Sequence, residues 1–320
     1  MNRNLKIIVF FLFLSSILLA SIPWGFYAHK RVNRYAVFTL PEELVGFYKK
    51  HIDHLTEHAV DADKRRYAIK EEAPRHYIDI DHYGENPFQE MPRKWTDAVE
   101  KFSEDTLLAY GIVPWHIQTV YNRLVKAFEQ KDIDYILKNS ADLGHYVSDA
   151  HVPLHTTENY NGQLTNQKGI HAFWESRLPE LFADDYDYLV GTAEYQYSVL
   201  DVAWKAVESS FNSLDSVLLF DKELSLEFEQ DKQYSYEKRG TKTLKVKSAD
   251  YSLAYHTKLD GMVERRLRLS IISIGNLWYS AWVDAGQPIL EGMQKSDNPF
   301  TNEIIIDLKI TPDDARGHQH

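Results

Sequence analysis

The chain has 320 residues, 44% hydrophobic and 13% aromatic, enough for one large core or two modest ones. Charged residues make up 26%, an ordinary globular balance that excludes wholesale disorder. The formal net charge of -11 disfavours unspecific attraction to nucleic acid or anionic lipid, and the lack of cysteine excludes disulfides, thiolate metal sites and a cysteine-linked lipid anchor.

In chain order, Arg3 and Lys6 precede the apolar run Ile7 to Ala20, as in a secretory signal. The run is short for a membrane span, yet uncharged residues continue through Trp24. Residues 1–20 are therefore read as a signal peptide or, alternatively, an uncleaved anchor. The expected location is secreted or periplasmic, or N-terminally membrane-anchored. Trp24 to Phe38 reads as a helix, with Trp24, Ala28, Val32, Tyr35 and Ala36 on one stripe. Leu40-Pro41 breaks it, and Leu44, Phe47 and Tyr48 mark a second helix. His58 to Tyr83 has weak periodicity and reads mostly as loop. Pro92 to Tyr110 reads as one helix, and Pro114 opens the next, through Phe128.

Asp134 to Ala150 and His171 to Phe182 read as helices, followed by Glu194 to Leu214. Tyr234 to Val246, around Arg239-Gly240, is a candidate hairpin. Tyr251 to Ala285 reads as one long amphipathic helix. A polar, mobile tail is expected over 311–320. No linker divides the chain, so the expectation is a single all-α domain over 24–310.

Chemistry concentrates in one stretch. It runs His145-Tyr-Val-Ser-Asp149-Ala-His-Val-Pro-Leu-His155, then His171-Ala-Phe-Trp-Glu175. His145/Asp149 and His171/Glu175 are each four apart, one helical turn on one face, so each pair can hold one cation. These polar groups sit among Leu143, Val147, Leu154, Phe173 and Trp174, and polar groups in an apolar pattern need a partner. Imidazole and carboxylate without thiolate is the usual shell of a hydrolytic Zn²⁺. Three earlier places add weaker candidates: His29, the run Asp61-Ala-Asp63-Lys-Arg-Arg66, and Arg75-His76-Tyr-Ile-Asp79-Ile-Asp81-His82.

The order Trp24-x4-His29, Ala62-Asp63, His76-Tyr-Ile-Asp79, His145-x3-Asp149-x3-Pro-Leu-His155, His171-x3-Glu175 resembles the superfamily of zinc-dependent phospholipases C and S1/P1 nucleases. The similarity covers Trp24 to about Pro179. It implies an all-helical fold with up to three zinc ions in one cleft. Carried onto matching positions, Asp63, His76, His145 and Asp149 hold one ion. The backbone of Trp24 and His29 hold a second, with Asp149 bridging. His155, His171 and Glu175 hold the third. Asp63 is also the candidate to orient or deprotonate the attacking water. The nuclease-like features are Trp24-Gly-x3-His29, Ala62-Asp63-x2-Arg66 and His76-Tyr-Ile-Asp79. The short interval from His155 to His171 and the use of Glu175 are phospholipase-like.

The implied function is hydrolysis of a phosphodiester by zinc-activated water, with a phospholipid headgroup or single-stranded nucleic acid as substrate. No obligate protein partner is inferred. The alternative is a non-catalytic zinc-binding surface protein that keeps the fold. Tyr77, Tyr83, Tyr160 and Phe173 are candidates to stack a base or seat a headgroup. A free amine at Trp24 requires cleavage directly after Pro23, whereas Ala20 is the better cleavage point. The ion held by Trp24 and His29 is therefore expected to be the weakest.

Overall fold

The helix that carries His145 and Asp149 has no solvent face. In this computed structural model, which describes residues 25–239 and 242–290, every residue from Asn139 to Ala150 is buried. A helix buried all round needs neighbours on every side, and the fold is built around that need. We number helices in chain order: α1 Phe26–Ala36, α2 Glu42–Lys50, α3 Ile52–Glu57, α4 Asp61–Arg66, α5 Pro87–Glu90, α6 Trp95–Phe102 and α7 Glu104–Tyr110. Then follow α8 Val113–Gln130, α9 Ile133–Ala150, α10 Ile170–Ala172, α11 Leu178–Phe182 and α12 Val199–Glu227. The hairpin β1 Tyr234–Arg239 and β2 Lys242–Lys247 precedes α13 Ala249–Lys258 and α14 Met262–Asp284. The expected all-α class holds, with one two-stranded antiparallel ribbon, Tyr234 opposite Lys247.

The central helix α9 pairs first with α8. Lys131 takes a left-handed conformation (φ 54°) that ends α8, and the Asp132 carboxylate accepts from Tyr135 N at 3.1 Å to start α9. The remaining sides of α9 are covered by α1, α12 and α14. On the α14 side, Trp278 donates to Ser140 O at 3.0 Å and stacks on Tyr48 with centroids 4.8 Å apart. On the α12 side, Ser210 Oγ lies 2.7 Å from Ala150 O. Arg266 of α14 reaches in as well. It is buried, donates to His151 O at 2.8 Å just past the end of α9, and its pKa is depressed to about 10 by burial. A cation at that end also complements the negative pole of the helix.

The α1 side is the closest. Asn33 Nδ2 donates to Ala141 O at 3.1 Å, and a Cβ added at Gly144 would come within 1.9 Å of Asn33 Oδ1. Only glycine leaves room for the Asn33 side chain against α9, and on the same side of α9 His29 meets His145. The two rings stack with centroids 4.1 Å apart.

Several elements differ from the sequence expectation. The stretch His58–Tyr83 is not mostly loop. It holds α4 and short 3₁₀ turns at Lys70–Arg75 and Ile80–Tyr83, too short for a hydrophobic period to register. The helix expected over Pro92–Tyr110 is two, broken at Ser103 (φ 69°), whose hydroxyl accepts from Thr106 N at 3.3 Å. The helix over Tyr251–Ala285 also breaks, at Asp260 and Gly261, both with positive φ. The helix expected from Glu194 starts at Val199 and runs on to Glu227. The signal or anchor at 1–20, Trp24 and the tail from 311 lie outside the described residues. Among the described residues no helix is long and apolar enough to cross a membrane.

Two glycine substitutions test the role of the close crossing. Gly144→Ala is expected to destabilise the metal-free protein by about 1–3 kcal/mol through overpacking. Gly46→Ala, at an exposed position in α2 with nothing within 4 Å of a new Cβ, should stabilise by about 0.5–1 kcal/mol. Denaturant unfolding of both variants reads the difference.

Candidate metal centre

The site is assembled from six segments, of which α4 supplies Asp63 and the 3₁₀ turn Pro153–Thr156 supplies His155. α9 presents His145 and Asp149 one turn apart, and α1 lays His29 across them. The segment after the 3₁₀ turn at Lys70–Arg75 delivers His76. It is locked by Ile78 N donating to His155 O and Asp79 N donating to Tyr110 O, at 2.9 and 2.7 Å. The α10 turn delivers His171. Between α10 and α11 the chain makes a π turn, Phe173–Arg177, which carries Glu175. Pro179 explains it: proline has no N–H to give to the carbonyl of Glu175, so the helical ladder slips there.

Among the described residues, three groups of side chains are close enough to hold metal ions: His29, His145 and Asp149; Asp63, His76 and His145; and His155, His171 and Glu175. They form one continuous cluster. Asp149 Oδ2 lies 2.9 Å from His76 Nδ1 and 3.2 Å from His145 Nε2. Its Oδ1 lies 3.5 Å from His29 Nε2 and 3.4 Å from His155 Nδ1. Glu175 closes the other end, 2.8 Å from His171 Nε2, 3.5 Å from His155 Nε2 and 3.5 Å from His29 Nε2. Asp63 Oδ1 is 3.7 Å from His145 Nε2 and 3.8 Å from His76 Nδ1.

Backbone carbonyls fix two of the imidazoles. His145 Nδ1 donates to Ala59 O at 2.8 Å, and His155 Nδ1 donates to His76 O at 2.9 Å. In each ring Nε2 is then the atom left with a lone pair, the usual way a protein orients a ligating histidine. His155 Nε2 and His171 Nε2 converge to 2.9 Å.

The electrostatics follow from burial against charge. Burial alone would raise Asp149, but His145 and His155 outweigh it and hold its carboxyl well below the usual range. Glu175 is also held low against burial, by His155 and His171. Burial would lower His145, but Asp149 and Asp63 raise it to about 9. For His76 burial wins and the pKa falls to about 4. In the absence of metal the carboxylates are therefore ionised and share protonated imidazole.

Every expected ligand within the described residues joins this cluster; Trp24 lies outside them. Between Asp61 and Asp63 the structure distinguishes plainly. Asp61 faces solvent and pairs with His58 and Lys64, at 2.5 and 2.8 Å, while Asp63 turns into the cluster. Of the four aromatic stacking candidates, Tyr77 and Tyr83 are buried in the core, and Phe173, also buried, lines a cavity beside the hairpin and not the metal cluster. Tyr160 is half-buried, 6.2 Å from the His171 ring. His151, within the same stretch, points away. It donates to Val147 O at 2.8 Å, and burial, with Arg266 nearby, takes it down to about 3.

Sequence reasoning missed Glu72. This carboxylate is fully buried and bonded to Tyr146, with Arg75 at 2.7 Å and Arg65 at 3.4 Å. Its Oε1 faces His76 Nε2 at 3.8 Å, on the far side of that ring from Asp149. The available signal was the same four-residue spacing to His76. Arg66, which the sequence places in the run Ala62-Asp63-x2-Arg66, does reach the cluster. Its Nη1 lies 3.8 Å from Asp63 Oδ1, a cation at the rim of an otherwise acidic cluster. No family model and no curated protein matches this chain. Fold and site together define an all-helical protein with three buried histidine–carboxylate groups suited to metal ions.

Glu72 makes an acid-stability prediction. Burial would raise its pKa, but Arg65, His76 and Arg75 pull it from 4.5 to about 2. A depressed carboxylate stabilises the fold above its unfolded pKa, and that contribution is lost as pH falls from 4.5 towards 2. Urea unfolding of metal-free protein at stepped pH should lose up to about 3 kcal/mol across that window. Glu72→Gln should flatten this dependence.

Metal analysis after dialysis against zinc tests the grouping. His171→Ala and Glu175→Gln should each lose about one ion, and the double variant no more than either. Asp149→Asn should lose more than His29→Ala, because Asp149 touches members of all three groups. A double variant that loses two ions would dissolve the third group.

Proposed function

We propose that this chain is a zinc-dependent phosphodiester hydrolase, acting on a phospholipid headgroup or on single-stranded nucleic acid. The observation that carries the reading is the continuity of the cluster: His29, Asp63, His76, His145, Asp149, His155, His171 and Glu175 converge without a break. Isolated structural metal sites do not require three groups in contact. Imidazole and carboxylate without thiolate suit zinc, and the burial of five histidines against three carboxylates fits cations between them. When bound, zinc supplies a water acidified towards a pKa of about 7 and a Lewis acid for phosphoryl oxygens.

The chain's own residues define the remaining roles. Asp149 and Glu175 are almost fully buried and serve as fixed ligands. Asp63 has the most exposed side chain of the three carboxylates, 12% against 1% and 5%, so it is the one placed to meet an incoming water. It is also held ionised: burial raises it, but His145 and His76 prevail, so near neutrality it is a hydrogen-bond acceptor suited to orienting that water. Arg66 beside it offers a fixed positive charge to an anionic substrate in a chain of net charge -11. The charged-then-apolar order of residues 1–20 supports an export signal or anchor, and with it a secreted, periplasmic or membrane-tethered setting.

The test is direct. The purified chain is loaded with zinc, its metal counted, and hydrolysis of single-stranded DNA, RNA and phosphatidylcholine compared. Cleavage of one class, abolished by chelator and restored by zinc, is expected. Asp63→Asn should cut kcat by about 10²–10⁴-fold while keeping the ion at His155, His171 and Glu175. Bound zinc with no hydrolysis of any of the three would assign a non-catalytic metal protein instead.

A further inference from the structure

A cavity of about 830 Å³ lies between the hairpin, the loop before α10 and the C-terminal part of α12. It contains none of the eight metal-site side chains, although Ile170 and Ala172, the neighbours of His171, form part of its wall. Its charge is opposite to that of the chain. Lys168, Arg177, Lys245 and Lys247 line it against one carboxylate, Asp221. That carboxylate is already engaged by Tyr251 and Gln167, each at 2.8 Å, and by Lys247 at 3.7 Å. Arg177 is likewise committed, to Glu237 at 2.9 Å. Lys168 and Lys245 are exposed and have no carboxylate partner among the described residues.

The hairpin concentrates this charge. Residues 234–247 hold five cations and one acid in a chain of net charge -11. Its cross-strand pairs Tyr234–Lys247 and Tyr236–Lys245 bring two tyrosines and two lysines together on one face. The ammonium groups of Lys245 and Lys247 sit 4.0 and 4.7 Å from the centroid of the Tyr234 ring. Like charges held this close repel one another, and an anion between them would relieve the repulsion. The cavity is far larger than a bare oxyanion and lies within the usual range for an organic ligand.

We propose that this cavity binds an organic phosphate at a site separate from the metal cluster. Lys168 and Lys245 meet the phosphate as point charges. The Tyr234 ring, 37% exposed, supports the carbon skeleton. A soluble phosphate ester and a phospholipid headgroup present the same chemistry to it.

The test uses the full chain stripped of metal by chelator, so that its outcome is independent of the hydrolase reading. Glycerol 3-phosphate is titrated by calorimetry. In parallel, sedimentation is measured with vesicles of phosphatidylglycerol and of phosphatidylcholine. A Kd of about 10 μM to 1 mM for the soluble ester, or retention on the phosphatidylglycerol vesicles alone, is expected. Retention on vesicles without binding of the ester assigns a lipid source, and binding of the ester assigns a soluble one. The variant Lys168→Gln/Lys245→Gln should weaken binding about tenfold or more, whereas Lys49→Gln/Lys50→Gln, at exposed positions of α2 outside the cavity lining, should leave it unchanged. No binding in either arm, or equal binding by the double variant, would overturn the proposal.

Discussion

A buried carboxylate must be compensated, and the constraint at Asp149 organises this protein. Its side chain is 1% exposed and faces four imidazoles, one from its own helix and three from separate segments. An isolated carboxylate at that depth would be protonated or would unfold the helix that carries it. The surrounding histidines prevent that outcome, and those histidines are only within reach because α9 is enclosed by α1, α8, α12 and α14. The apolar core and the polar cluster are therefore one structure. The packing that buries α9 also pins the rings.

The cluster has a second layer of charge behind it. Glu72 is held by Arg65 and Arg75, and Arg65 also reaches Asp142 at 3.1 Å, which in turn accepts from Lys138 at 3.0 Å. Buried polar networks of this kind are stable only when every member is satisfied. Here the network places a negative charge on one side of the His76 ring while Asp149 occupies the other. Removing one member would leave a charge stranded in the interior. That makes the network a source of rigidity for a ligand delivered by an otherwise irregular segment.

What was legible in the sequence divides along physical lines. His145/Asp149 and His171/Glu175 were readable because helical periodicity is local, and both pairs sit on helical turns. His29, Asp63 and His76 come from distant segments, and no spacing rule brings them to α9. Only the ordered resemblance pointed to them. The break at Ser103 was hidden because a non-glycine residue adopts positive φ there, and residue type alone gives little warning of that conformation. The break at Asp260-Gly261 instead carried a turn dipeptide that the apolar stripe on either side overrode. Glu72 was missed although its spacing to His76 is the same four residues. It lies in a 3₁₀ turn within a stretch read as loop, where no helical face was sought.

One hydrogen bond has a further consequence. His145 gives its Nδ1 proton to the carbonyl of Ala59 and so retains a single donor atom, Nε2. That atom lies at the junction of two of the three groups. A monodentate ligand cannot serve two cations, whereas Asp149, with two oxygens turned to different neighbours, can. The two adjoining positions therefore compete for His145. An ion taking it at the Asp63 and His76 position would leave the other His29 and Asp149, and an ion taking it at the His29 position would leave the other Asp63, His76 and Asp149. Two ions there would contend for one imidazole nitrogen, and the backbone bond at Ala59 is what denies that ring a second one.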